Sequence, residues 1–249
     1  MKISIITVCY NSEKTIEKTI NSVLSQNFKN FEYIIIDGGS TDGTLKIIEK
    51  FKNKIHKIVS EKDNGIFDAI NKGINFANGD IISVIHSDDL FFDNDVLDNV
   101  SKSFIANPNL ECLIGTTLIK KIGSNSVLRK YNPDFFKKWM LYLGYSPPHP
   151  STFIKKSVYD KYGLYKLNYQ IAGDFEFFLR IFLKFNVSFK TIDEKFVIMY
   201  MGGKSTASIN SNLISNREIL KSFKENKIYS NWLFILVRFP IKLLQFILR

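Results

Sequence analysis

Ile81-Ile82-Ser83-Val84-Ile85-His86-Ser87-Asp88-Asp89 is an apolar run of strand length that drives straight into two adjacent carboxylates. A buried strand ending in paired acids presents them at the rim of a sheet, where α/β proteins hold metal ions and phosphorylated ligands. Two neighbouring carboxylates repel each other, so a cation is expected against Asp88 and Asp89. An exposed Asp-Asp turn capping the following helix is the plainer alternative.

Outward from this stretch, apolar strand patterns alternate with helical ones. Strands are expected over residues 2–8, 31–37, 55–60 and 81–85, with helices over 12–26, 44–52 and 66–77 between them. Ser12 is the expected N-cap of the first helix, whose Ile16, Ile20, Val23 and Leu24 recur at helical spacing. Asn78-Gly79 is a stop signal for the third. Such alternation with short links implies a parallel sheet with right-handed crossovers. Further on, a helix is expected over 93–106 and a hairpin over 110–121 and 127–131 around Gly123-Ser124-Asn125. A rigid loop, Pro147-Pro148-His149-Pro150, precedes a helix over 173–185 and a strand over 187–200. No repeat, low-complexity segment or linker interrupts this order. The reading is one α/β domain over residues 1–204 and a C-terminal helical tail over 205–249.

With 249 residues and 45% apolar content the chain has ample core. Cys9 and Cys112 sit in apolar runs without metal-ligand spacing and read as reduced core residues of a cytosolic protein. The first residues read as a strand rather than a signal peptide. Of the formal charge of +10, half falls in residues 217–249, which carry seven basic and two acidic side chains. A basic tail suits a polyanion. Within it, Trp232–Leu248 is nearly all apolar or aromatic, with Arg238 and Lys242 interspersed and Arg249 following. Those charges and Pro240 oppose a membrane-spanning helix. A helix lying in a membrane interface with snorkelling cations fits better; packing on the protein's own core or on a partner is the alternative. Nucleic-acid binding is disfavoured, because no recognised module carries the basic residues.

Ligand chemistry gathers at the carboxyl ends of parallel strands. Here those ends read Cys9-Tyr10-Asn11, Asp37-Gly38-Gly39-Ser40-Thr41-Asp42-Gly43, Glu61-Lys62-Asp63-Asn64-Gly65 and His86-Ser87-Asp88-Asp89. One aromatic, several acids and several glycines converge on one rim. Neither a G-x-G-x-x-G turn after the first strand nor a G-x-x-x-x-G-K-[ST] loop is present, which argues against a dinucleotide dehydrogenase and a P-loop NTPase.

These runs carry a resemblance. SIITVCYNSE, SQNFKNFEYIIIDGGSTDGT, SEKDNGIFDAINKGINFANGDII and HSDD, followed by HPSTF and IAGDFEFFLR, resemble in order and spacing a family-2 glycosyltransferase of the GT-A fold, the inverting class that uses nucleotide-sugars. The DGGSTDGT and DNGIFDAINKGI versions resemble a bacterial subgroup associated with O-antigen and capsule assembly.

The resemblance implies roles residue by residue. Tyr10 would stack on a uracil ring, with Asn11 beside it. Asp37 would accept hydrogen bonds from base or ribose; relatives commonly have two acids where this chain has Asp37-Gly38, so the base-reading task passes to Asp37 or elsewhere. Gly38, which admits close backbone approach, and Asp63 belong to the same nucleotide-sugar set. Asp89 matches the ligand of a divalent cation, Mg²⁺ or Mn²⁺, and Asp88 its ribose-contacting neighbour. Asp174, before an apolar helix, matches the catalytic base; without the resemblance it reads equally as an N-cap. Glu176 would face away from it. His149 matches a histidine that contacts diphosphate or acceptor, His86 reads as a rim histidine, and Asp42 reads as a cap of the second helix. Gly202-Gly203-Lys204-Ser205-Thr206 lies where relatives close a loop over the donor, with Lys204 toward phosphate.

The function implied is transfer of a hexose from a nucleotide-sugar, UDP-linked, to a saccharide on a polyprenyl diphosphate. The enzyme would be cytoplasmic and peripheral on the inner membrane face through its tail. A nucleotidyltransferase acting on sugar phosphates and a non-catalytic nucleotide-sugar-binding protein are the rivals. The first would want a basic Gly-rich loop that the chain lacks; the intact Asp88, Asp89 and Asp174 argue against the second.

Overall fold

The computed structural model describes residues 1–121, 123, 126–201 and 209–236. Lys204, its Gly202–Thr206 loop, the 124–125 hairpin residues and the tail beyond 236 lie outside the described residues.

The parallel half forms as its pattern predicts. β1 (Ile3–Cys9) is flanked by β2 (Phe31–Asp37) on one side and β4 (Ile81–His86) on the other, both parallel to it, and β3 (Lys57–Ser60) adds parallel to β2. The registers Cys9↔Asp37, Asp37↔Ser60 and Val8↔His86 bring all four carboxyl ends to one edge. In β1, Ile3 and Ile5 pack on one face, Ile6 and Val8 on the other. This two-sided burial is what the near-continuous apolar strands require. Helices α1 (Ile16–Leu24) and α4 (Val96–Ala106) cover the first face; α3 (Ile66–Phe76) covers the second, while α2 (Thr44–Glu49) lies against α1.

Beyond β4 the sheet is mixed. The two-residue β5 (Leu90–Phe91) pairs antiparallel with β9 (Phe189–Tyr200). β6 (Cys112–Lys120) pairs antiparallel with β7 (Val127–Tyr131), as the hairpin reading expects, and parallel with β9. β8 (Thr152–Lys155) joins the halves, antiparallel to both β4 and β6. After it come α5 (Lys156–Tyr162), α6 (Gly173–Leu179), α7 (Ile209–Glu225) and α8 (Trp232–Leu236).

Three local expectations change. The first helix begins at Ile16 rather than Ser12, because the Ser12 hydroxyl bonds the Tyr10 carbonyl and Ser87 Oγ instead of capping. α4 begins at Val96, since Asp93 Oδ1 accepts the Asp95 N–H in a side-chain turn. The helix expected over 173–185 is α-helical to Leu179 and then widens into a π-turn over Arg180–Lys184, with Phe185 N–H bonded to the Arg180 carbonyl at 3.1 Å. The tail also differs from an appendage over Ile209–Glu225. There α7 packs on α6 and supplies Ile219 and Phe223 to the same core cluster as Phe175. Among the described residues no helix is long and apolar enough to cross a membrane.

Candidate active site

The first two strand ends are bolted together. Asn11 adopts φ +48°, a left-handed conformation that Asn tolerates. Its Oδ1 accepts the Thr41 N–H at 2.8 Å while its own N–H donates to Ser40 Oγ at 2.8 Å. Tyr10, just before it, is 56% exposed at the rim. Ser12 Oγ and Ser87 Oγ lie 2.8 Å apart, tying the first strand's loop to the fourth's.

Asp37 is fully buried. Its Oδ2 accepts from Gly39 N–H (3.1 Å), Ser40 N–H (3.0 Å) and Ser60 Oγ (2.7 Å), and its Oδ1 accepts from Ser40 Oγ. A carboxylate has room for about four such bonds. The side chain is therefore occupied in shaping its own loop. Gly39, at φ +81°, lets that loop turn back over the carboxylate. Asp42 lies one residue before the N-cap of α2, which is Gly43, and accepts the Thr44 N–H at 2.9 Å in a side-chain turn.

Gly38 has a different use. A Cβ built there would overlap Asp63 Oδ2 and sit 3.1 Å from Asp63 Cγ. The missing side chain thus leaves space that the Asp63 carboxylate occupies. Asp63 Oδ1 is held by the Gly65 N–H at 2.9 Å. Burial, with the nearby carboxylates of Asp37, Asp42 and Asp63, pushes the Cys9 thiol far above its ordinary range, so Cys9 stays protonated at this end of the sheet.

At the end of β4, Asp88 is exposed and Asp89 is only 1% exposed. The Asp89 N–H bonds the His86 carbonyl at 3.1 Å, and Thr19 Oγ1 of α1 donates to the Asp89 carbonyl at 2.9 Å. Its side-chain Oδ2 is buried with no hydrogen-bond partner. Burial and the Asp88 charge push the Asp89 carboxyl well above the usual carboxylate range. An unpartnered carboxylate oxygen of this kind fits a divalent cation, which would replace the proton. Among the described residues no group of three or more His, Cys, Asp or Glu converges as a complete cage. An oxygen-ligated ion here would take its remaining ligands from water and a bound phosphate.

Asp174 is half-buried in the first turn of α6, its Oδ1 accepting the Phe175 N–H at 2.7 Å. Gly173 before it packs so tightly on the Phe67 ring of α3 that a Cβ would approach to 2.6 Å, which ties Asp174 to the rim end of α3. Its charge reaches the hydroxyls of Tyr131 and Tyr165, helping burial and their tyrosine neighbours hold both protonated. Tyr165 Oη lies 2.8 Å from His149 Nε2, and the His149 ring stacks on His86 at 5.7 Å. Tyr165 and His149 are thus hydrogen bonded, and His149 stacks on His86, the last residue of the strand that leads into Asp88 and Asp89. Burial and His86 lower the His149 pKa to about 3, so its ring is neutral at pH 7. Glu176 is fully buried in an ionic cluster with Arg180 (3.2 Å), Lys166 (2.9 Å) and Asn226 (3.1 Å).

Sequence reasoning missed several supporting residues. Glu218 of α7 accepts the consecutive N–H groups of Gln170 (2.6 Å), Ile171 (2.9 Å) and Ala172 (2.7 Å), clamping the turn that launches Asp174. Its signal was available: Glu218 and Glu225 are the two acids of the basic 217–249 stretch. Tyr165 carries no motif; Asn71 of α3 positions it through bonds to its N–H (3.0 Å) and carbonyl (2.7 Å).

The family model described as Glycosyl transferase family 2 matches residues 4–166. A chain named as an uncharacterized glycosyltransferase of Mycobacterium tuberculosis is 31% identical over 179 residues, covering 72% of this chain and 68% of its own length. A PGL/p-HBAD biosynthesis glycosyltransferase of Mycobacterium bovis is 27% identical over 184 residues, covering 72% and 69%. Among solved structures, S. aureus TarS 1-349 in complex with UDP-GlcNAc superposes with a TM-score of 0.69 at 22% identity, over 90% of this chain. The mannosyltransferase PcManGT of Pyrobaculum calidifontis, in complex with GDP-Man and Mn²⁺, gives 0.65 at 17% identity, also over 90%. The chain spans 66% and 63% of those two solved chains. At such identities the likeness establishes the fold, the GT-A arrangement.

Proposed function

The chain belongs to glycosyl transferase family 2, and on that premise we propose that it moves a sugar from a nucleotide-sugar to a saccharide hydroxyl with inversion. The observation that carries this reading is a pair of carboxylates, Asp89 with an unpartnered buried oxygen at the end of β4 and Asp174 in the first turn of α6, which Gly173 packs against Phe67 of α3. The former suits a diphosphate-bound cation, the latter an acceptor hydroxyl.

In this reading Tyr10 stacks on the base and Asp63, lodged against Gly38, accepts the base imide N–H. UDP is the favoured nucleotide, supported by the UDP-GlcNAc complex of TarS. Asn11 and Asp37 hold the loops that frame the base, Asp88 contacts the ribose, and His149 faces the diphosphate or acceptor. Lys204 would close on phosphate. Asp89 would hold Mg²⁺ or Mn²⁺, and such an ion neutralises charge on the departing diphosphate. Asp174 takes the proton from the acceptor hydroxyl as its oxygen bonds the anomeric carbon and the bond to the diphosphate breaks. The donor sugar is a hexose. The acceptor is a saccharide on a polyprenyl diphosphate in surface-polysaccharide synthesis, met by a peripheral enzyme whose basic C-terminal segment lies on the inner membrane face.

Calorimetry with UDP, with and without Mn²⁺, tests the donor half of the reading. Native protein is expected to bind in a Mn²⁺-dependent manner, Asp89→Ala not to bind, and Asp174→Asn to bind normally while losing about 10²–10⁴-fold of turnover. Folded native protein that ignores UDP would sink the UDP assignment, and an Asp174→Asn enzyme with native turnover would remove the base.

A further inference from the structure

Two segments far apart in sequence meet at a surface that the rim chemistry does not use. The 3₁₀ turn Lys138–Leu143 packs against α8, and the turn Pro133–Phe135 precedes it in the chain. Ser230 Oγ donates to the Tyr142 carbonyl at 3.4 Å, and the Tyr142 ring stacks on Phe223 at 6.4 Å. Ile235, on the inner side of α8, is fully buried. On the outer side Phe135, Trp139, Tyr229, Trp232, Leu233 and Phe234 are left between 41% and 76% exposed. Single exposed apolar residues are ordinary; so many large ones on two adjoining segments mark an interaction surface.

The charge around them is mainly positive. Lys137 is exposed and Lys138 half-buried beside Trp139, against one acid, Asp134, in residues 133–143. Lys224 and Lys227 are exposed at the end of α7, where the neighbouring Glu225 is taken by Lys166 at 2.8 Å. The sequence from 237 to 249 adds Arg238, Lys242 and Arg249 and no acid.

We propose that this composite face, the 135–142 turns together with α8, docks the protein on an anionic lipid bilayer. Tryptophan and tyrosine suit the headgroup layer, where an apolar ring and a polar edge are both satisfied. Leu233 and Phe234 reach apolar depth, and the flanking lysines meet lipid phosphate. The face also connects with the chemistry. Phe223 beneath Tyr142 packs on Phe175 at 5.8 Å, and Phe175 follows Asp174 directly. A docked protein would thus hold its candidate base one aromatic layer from the membrane. Docking deepens the membrane association proposed above, which assigned it to the C-terminal segment alone.

The test uses the full chain and its own fluorophores. Trp139 and Trp232 are the only two tryptophans in the sequence, so tryptophan emission reports this face and nothing else. Phosphatidylcholine vesicles containing about 30% phosphatidylglycerol are compared with phosphatidylcholine alone. Trp232→Phe, which reads Trp139, and Trp139→Phe, which reads Trp232, should both shift to shorter wavelength on the anionic vesicles. The shift should weaken with salt, and Lys137→Glu combined with Lys227→Glu should lower partitioning roughly tenfold. Vesicle binding with unshifted Trp139 emission would overturn the composite face and leave the C-terminal segment as the anchor. A lipid-free shift that grows with protein concentration would make the face a contact between two copies. Sedimentation with neither vesicle would remove the membrane altogether. UDP calorimetry on the same variants should remain native, so failure here stays separate from failure of the transferase reading.

Discussion

Gly38 and Asp63 interlock: the carboxylate of Asp63 fills the space a side chain at position 38 would need, with Cγ 3.1 Å from the missing Cβ. In the function proposed above, this acid from the third strand's end reads the base where the second strand's end offers Gly38. Asp37, with its oxygens taken up by Gly39, Ser40 and Ser60, has no such freedom.

Asp63→Ala is therefore expected to weaken UDP binding by about 10–100-fold, the worth of a charge-assisted hydrogen bond. Gly38→Ala should do nearly as much by displacing the carboxylate. Calorimetry with UDP decides, and native affinity in Asp63→Ala would return base reading to another group.

Asp89 couples stability to pH. Its folded-state pKa lies above the ordinary value because of burial and Asp88. The folded protein then holds a proton that the unfolded chain releases, so stability falls as pH rises through that interval. Asp89→Asn, which cannot ionise, should be about 1–2 kcal/mol more stable than the native protein at pH 8 in EDTA. Only the native protein should gain from Mn²⁺ with UDP. Thermal melts at pH 5 and pH 8 would refute the argument if the variant were the less stable at both.

His149 acts in the opposite direction. Burial and His86 bring its pKa to about 3, below the ordinary 6.5. Its contribution is present above 6.5 and is lost as pH falls toward 3, where the unfolded chain binds the extra proton. Burial lowers His86 in the same sense, though Asp88 opposes it. Unfolding free energies from urea titrations at pH 7.5 and pH 5 should differ by about 1–2 kcal/mol more in the native protein than in His149→Gln. Equal losses would show that the ring is hydrated.

Removing Glu218 strips a shared acceptor from the Gln170, Ile171 and Ala172 amides. Glu218→Ala should cost about 1–3 kcal/mol, since the buried Ala172 N–H is left without a partner and carries its full desolvation penalty. Glu218→Gln, which keeps one oxygen, should recover about half. UDP affinity should hold while turnover falls, because the clamp acts on the Asp174 turn and not on the nucleotide. A melting temperature unchanged in Glu218→Ala would mean water replaces the carboxylate.

Much of this was legible in the chain. Strand and helix periods locate β1 to β4 and α1 to α3 within a few residues, and the parallel order follows from their alternation. The rim follows too, because strand ends are where the apolar run stops and polar residues begin. Helix starts were less readable: Ser12 has the chemistry of a cap, but its hydroxyl is drawn to Ser87 from a strand distant in sequence. The π-turn after Leu179 is equally invisible to periodicity, which registers an apolar helix through residue 185.

By itself, then, the sequence determined the elements, the parallel half of the sheet and the acids at its edge, since local hydrophobic period and turn chemistry act over a few neighbours. Tertiary structure alone decided which of those acids has an unpartnered oxygen, that Asp63 enters the gap at Gly38, that Glu218 steadies the turn before Asp174, and that the turn carrying Trp139 packs against the helix carrying Trp232. Each of these is a contact between residues distant along the chain. Such contacts depend on how side chains divide a shared volume and a limited set of hydrogen-bond donors, and no local pattern encodes that division.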